Sequence, residues 1–102
     1  MPVIRISRAH FQADSYTDVR AKLEESRATL EPAVRALRGC LHYWAAIDKL
    51  SKQMVHVSMW ETLEDAKQLD RLTPMLVIAG ELVALGVSFE APITNSDVLW
   101  EL

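Results

Sequence analysis

Apolar and polar residues alternate through the first stretch of the chain, Val-Ile-Arg-Ile-Ser-Arg-Ala-His-Phe from Val3 to Phe11. A two-residue period rich in β-branched side chains predicts a strand. Ile4, Ile6, Arg8 and His10 share one of its faces; Val3, Arg5, Ser7 and Ala9 share the other. After a connection from Gln12 to Ser15 the period lengthens. Ser15 stands where a helix cap is needed, and Val19, Leu23, Ser26 and Leu30 then recur at helical spacing among charged residues. Pro32 lacks the interior N–H donor, which predicts the start of a second helical piece there. Val34 and Leu37 continue the apolar stripe, and Gly39 is expected to end it.

Alternation returns from Cys40 to Ile47 and again from Gln53 to Trp60, with a polar turn over Asp48–Lys52. Leu41, Tyr43, Ala45 and Ile47 fall on one side of the second strand. Met54, His56, Ser58 and Trp60 fall together on the third. A turn centred on residue 50 would set His42 opposite Ser58 and Trp44 opposite His56, gathering two histidines and two tryptophans on one face. Thr62 followed by Asp65 has the form of a capping box and predicts a short helix from Leu63 to Leu69. Thr73-Pro74 is a second start signal, with Met75–Leu85 helical and Gly86 as its stop. Val87–Ile93 is interrupted by Pro92, Asn95-Ser96-Asp97 reads as a turn, and Val98–Leu102 alternates like a final strand.

The resulting order is strand, helix, strand, strand, helix, strand. It predicts one α+β domain over residues 1–102, a ferredoxin-like antiparallel sheet with helices on one face. Such a sheet leaves its second face bare. Pairing of two sheets would remove that apolar surface from water, so a homodimer is expected.

Composition narrows the possibilities further. Of the 102 residues 50% are hydrophobic, enough for a core, while the net charge of −3 leaves no cationic excess for nucleic acid. No stretch is long and apolar enough to suggest a membrane span, and the first residues lack the pattern of a signal peptide. Cys40 is the single cysteine. It permits no intramolecular disulfide, and the cytoplasm is the expected location.

Leu37-Arg38-Gly39-Cys40 before the second strand, Val57-Ser58-Met59-Trp60-Glu61 leaving the third, and the element order resemble the antibiotic-biosynthesis-monooxygenase family of the dimeric α+β barrel superfamily. The resemblance implies a homodimer with a pocket between sheet and helices in each subunit. It also implies oxidation of aromatic polyketides to quinones without a cofactor, or in other relatives haem degradation. Haem-degrading relatives carry an Asn on the first strand, a Trp closing the third and a His on the last long helix. Here Ser7 falls near the Asn position, Trp60 matches, and Met75–Leu85 contains no His. That departure turns the expectation away from haem. The quinone-forming relatives add an Asn near the third strand, which the surroundings of Trp60 lack.

Several side chains could carry chemistry. His56 and His10 are candidate bases, since an imidazole can remove a phenolic proton near neutral pH. Trp60 could stack on a flat substrate or orient one of its oxygens; core packing is its alternative role. Ser7, Arg8 and Tyr43 are candidate substrate-binding residues, and either Arg5 or Arg8 could receive an acidic group. The three histidines lack the spacing of a metal site, and the three glycines form no phosphate loop, so neither metal nor cofactor is expected. The leading expectation is a monooxygenase acting on a small aromatic or phenolic compound in an apolar pocket. A non-catalytic small-molecule-binding or regulatory homodimer is one alternative. An isomerase or dehydratase on the same scaffold is another.

Overall fold

The computed structural model describes residues 1–102. Its elements are β1 (Val3–His10), α1 (Tyr16–Arg35), β2 (Cys40–Asp48), β3 (Gln53–Trp60), α2 (Leu63–Ala66), α3 (Thr73–Ala84), β4 (Ser88–Phe89) and β5 (Thr94–Asp97). Short 3-10 turns at Ala13–Ser15 and Lys67–Arg71 lead into α1 and follow α2. All strand pairs are antiparallel, in the order β2-β3-β1-β4, with β5 also on β1. The α+β, ferredoxin-like architecture expected from the alternation is therefore present. No helix is long and apolar enough to cross a membrane.

The helices cover the face of β1 that carries Val3, Arg5, Ser7 and Ala9. These residues pair with Trp60, Ser58, His56 and Met54 of β3. Two apolar clusters hold the layers together. Ala9, Phe11, Leu30, Met54, Ile78 and Leu82 belong to the larger, and Val3, Val34, Trp60, Ala66 and Leu69 form the smaller. The α1 stripe Val19, Leu23, Ser26, Leu30 and Val34 is buried throughout. Ser26 tolerates burial because its hydroxyl donates to the carbonyl of Leu23 at 2.7 Å.

Several local expectations are corrected. Pro32 does not open a new helix but lies inside α1. Leu30 and Val34 are buried on either side of it, and that packing outweighs the one lost hydrogen bond. Ser15 does not cap with its side chain, because the preceding 3-10 turn already holds its backbone helical at φ −93°, ψ −6°. Leu72, not Thr73, takes the extended position before α3, which places Thr73 and Pro74 in its first turn. Thr62 caps as expected, its Oγ1 accepting from the Asp65 amide at 3.1 Å. Gly39 lies beyond the end of α1, in the approach to β2, at φ +74°. A Cβ there would run into the Asp65 carboxylate, so glycine is required twice over.

The hairpin register also differs. Asp48 pairs with Gln53, which centres the turn between residues 50 and 51 and slips the strands by one residue from expectation. Tyr43 therefore opposes Ser58, Trp44 opposes Val57, and a register shift between Cys40 and His42 disturbs the strand start. His42 and Trp44 stack at 5.3 Å and are exposed, away from His56 and Trp60.

At the other edge, Asn95–Asp97 is strand rather than turn. The free edge of β1 from Val3 to Ile6 offers a hydrogen-bond ladder, and β5 takes it. Val98–Leu102 is not a strand: after the Val98 amide donates to the carbonyl of Pro2, β1 has nothing further to pair with. Between β4 and β5, residues 91–93 leave the sheet, after the Glu90 amide donates to the carbonyl of Arg8 at 2.9 Å.

Candidate functional site

Below α3 the inner sheet face carries a run of polar residues where hydrocarbon would be ordinary. Arg5, Ser58 and Tyr43 form one row across β1, β3 and β2, and Ser7 and His56 occupy the next. Above them Met75, Ile78 and Leu82 of α3 close a cavity of about 280 Å³. Asp70 of the 3-10 turn, Phe89 of β4, and Glu90 and Ile93 also line it. Five polar side chains thus form the floor, and mostly apolar ones the roof, which suits a molecule with a hydrocarbon body and a few oxygen atoms.

His56 is the one titratable imidazole of this floor. Its Nδ1 lies 3.0 Å from the hydroxyl of Tyr43, while its Nε2 is buried and has no hydrogen-bond partner. Burial lowers the imidazole pKa to about 4, so the ring is neutral at pH 7. Two proton arrangements satisfy the Tyr43 contact. Tyr43 can donate to Nδ1, which leaves an N–H on Nε2. Alternatively Nδ1–H donates to the Tyr43 oxygen, whose hydroxyl then turns toward the sulfur of Met75 at 4.0 Å. In the second arrangement Nε2 presents a free lone pair. Burial also pushes the Tyr43 phenol above its ordinary range, against the opposing effect of nearby Arg5. Tyr43 is therefore a neutral orienting group for His56, not a second base.

Trp60 stands elsewhere. Its ring is fully buried in the smaller apolar cluster and does not line the cavity, which corrects its expected stacking role. It reaches the site only through Ser58, whose Oγ accepts from Trp60 Nε1 at 2.8 Å. His10 lies at the end of β1, paired with Glu90 at 3.1 Å on the surface and outside the cavity lining. Arg8 is exposed on the opposite sheet face, so its expected contact with substrate is also corrected. Ser7, Tyr43 and His56 do come together. Arg5, which shares their face, is the cation present in the lining, and its Nη2 donates to Asp70 at 2.6 Å. Its signal in the sequence was a charge placed in line with Val3 and Ala9. Burial raises the pKa of Cys40, which makes it a poor nucleophile. No three His, Cys, Asp or Glu side chains converge as a metal site.

No family model matches the sequence, and no curated protein matches it. Solved structures do. A candidate antibiotic biosynthesis monooxygenase from Deinococcus radiodurans superposes with a TM-score of 0.73 at 20% identity, over 98% of this chain and 95% of that one. Rv0793 from Mycobacterium tuberculosis gives 0.70 at 18% identity, over 99% and 98%. A variant of SnoaB, a cofactor-independent oxygenase from Streptomyces nogalater, gives 0.70 at 13% identity, over 99% and 96%. This is the antibiotic-biosynthesis-monooxygenase fold. The likeness spans nearly the whole of each chain, including the layer of helices over the inner sheet face where the cavity lies. At these identities it establishes architecture; the chemistry must be argued from the residues of the cavity.

Proposed function

We propose that this chain is a cofactor-independent monooxygenase for small aromatic or phenolic compounds, and that it works as a homodimer. The observation that carries the reading is the unpartnered, buried Nε2 of His56, a residue of the polar floor beneath an apolar roof, whose Nδ1 is held by Tyr43. With Nδ1–H donated to Tyr43, Nε2 accepts the proton of a phenolic hydroxyl. The imidazolium and phenolate so formed stay in contact, and their mutual attraction around a buried ring offsets its low basicity.

A phenolate is far easier to oxidise than a phenol. The substrate supplies the electrons: its hydroxyl hydrogen and one ring hydrogen leave with one oxygen atom of O₂ as water. The other oxygen atom becomes the second carbonyl of a quinone. The fold shared with SnoaB supports the reading without fixing a substrate.

Oxygen consumption by metal-free protein, measured across quinols and polyketide-like phenols, tests it. Turnover is expected, with His56→Phe slower by about 10²–10⁴-fold, the usual contribution of a positioned base. Absence of uptake across the whole set would sink the proposal.

A further inference from the structure

Arg5 is only half-answered by its own protein. Its side chain is buried, with a relative exposure of 7%, while that of Asp70, its ion-pair partner, is 55% exposed. The sole hydrogen bond of the guanidinium runs from Nη2 to Asp70 Oδ1. A guanidinium carries five N–H donors, and those of Arg5 that lack an acceptor keep some exposure, since His56 Nε2 is the one fully buried side-chain nitrogen or oxygen without a partner. Here Nε and Nη1 donate to nothing in the chain, and Arg5 lines the same cavity as His56. The two carboxylates of the lining are already engaged, Asp70 with Arg5 and Glu90 with His10.

The sheet register makes the two residues that carry the unanswered groups neighbours. Arg5 faces Ser58 and Ser7 faces His56, so Arg5 and His56 are diagonal neighbours on adjacent strands. The backbones at such positions lie roughly 7–8 Å apart, so both side chains serve the same small cavity. The roof of the cavity is hydrocarbon, from Met75, Ile78 and Leu82 of α3.

We propose that the cavity recognises an aromatic acid: Arg5 receives the ligand's oxyanion on its free N–H donors while His56 Nε2 meets a hydroxyl at the other end of the ring. The proposal deepens the oxygenase reading by naming its substrate class, and Arg5 is the residue that sets the selection. A charge-assisted hydrogen bond from a buried guanidinium favours the acid over a neutral compound of the same shape.

Calorimetric titration under anaerobic conditions separates this binding from any turnover. The probes are 4-hydroxybenzoate and 6-hydroxy-2-naphthoate, each against its primary amide. At least one acid is expected to bind tenfold or more tightly than its amide, and Arg5→Met is expected to abolish the preference. If Arg5→Met does not fold, Asp70→Asn carries the test. Removing the carboxylate that now shares Arg5 should tighten the acid several-fold and leave the amide unchanged. Equal affinities for acid and amide, a preference that survives loss of Arg5, an unchanged ratio in Asp70→Asn, or no binding by either acid would each overturn the proposal. Acid-selective binding without oxygen uptake would instead remove the oxygenase reading and leave the anion site standing.

Discussion

Protonation of His56 sets an acid limit on the folded state. Its pKa falls from 6.5 to about 4 on burial. Between those values the unfolded chain holds a proton that the folded chain refuses, so stability rises with pH through this window. The full contribution is present above pH 6.5 and is lost as pH falls toward 4. A difference of about 2.5 pKa units amounts to on the order of 3 kcal/mol. Urea unfolding of wild type and His56→Gln at pH 7.5 and 4.5 should show the wild type losing more stability on acidification. Equal losses would mean that the ring is hydrated in solution. The face of β3 that carries His56 followed from alternation alone, because a two-residue period leaves no choice once one neighbour is placed. Arg5 and Arg8 were different. Both interrupt the same strand, and only the packed helices decide which of the two faces is the interior. Trp60 misled for a related reason: it lies on the correct face but one row beyond the cavity, beneath α2.

At the scale of elements, short signals worked where they acted alone and failed where they competed. The Thr62 cap is independent of the rest of the molecule, and Thr62→Ala should cost about 1 kcal/mol in chemical denaturation. Pro32 and the Asn-Ser-Asp segment at 95–97 competed with tertiary demands. A buried stripe carried α1 through the proline, and an unpaired strand edge recruited residues whose own preference is for turns. Gly39 combines both situations. Its positive φ suits glycine, and the neighbouring Asp65 leaves no room for a side chain. Gly39→Ala should therefore destabilise by more than the ~1–2 kcal/mol that left-handed backbone costs an L-residue, visible as a lowered melting temperature. A loss below 1 kcal/mol would show that the junction between α2 and the approach to β2 yields easily.

For the whole molecule, the outer sheet face is the unfinished part. Ile4, Ile6, Val55 and Val57 lie on it half-buried, and Trp44 is 51% exposed with no helix above it. The expectation of a homodimer came from this imbalance between two apolar faces and one layer of helices. Sedimentation should give a dimer, and Val57→Glu, which sets a charge in the middle of that face, should shift it to monomer with little change in helix content. A wild-type monomer at micromolar concentration would contradict the assignment.

The interruption between β4 and β5 has a consequence for how the cavity can vary. Residues 91–93 hang from the sheet at both ends, and Ile93 lines the cavity beside Glu90. Support and shape are thereby separated: β1 keeps its partners on either side of the gap while the segment between them forms one wall. Changes in its length or bulk can enlarge or reshape the chamber while His56, Tyr43 and Arg5 stay fixed on the sheet. One polar floor can in this way accommodate guests of different size.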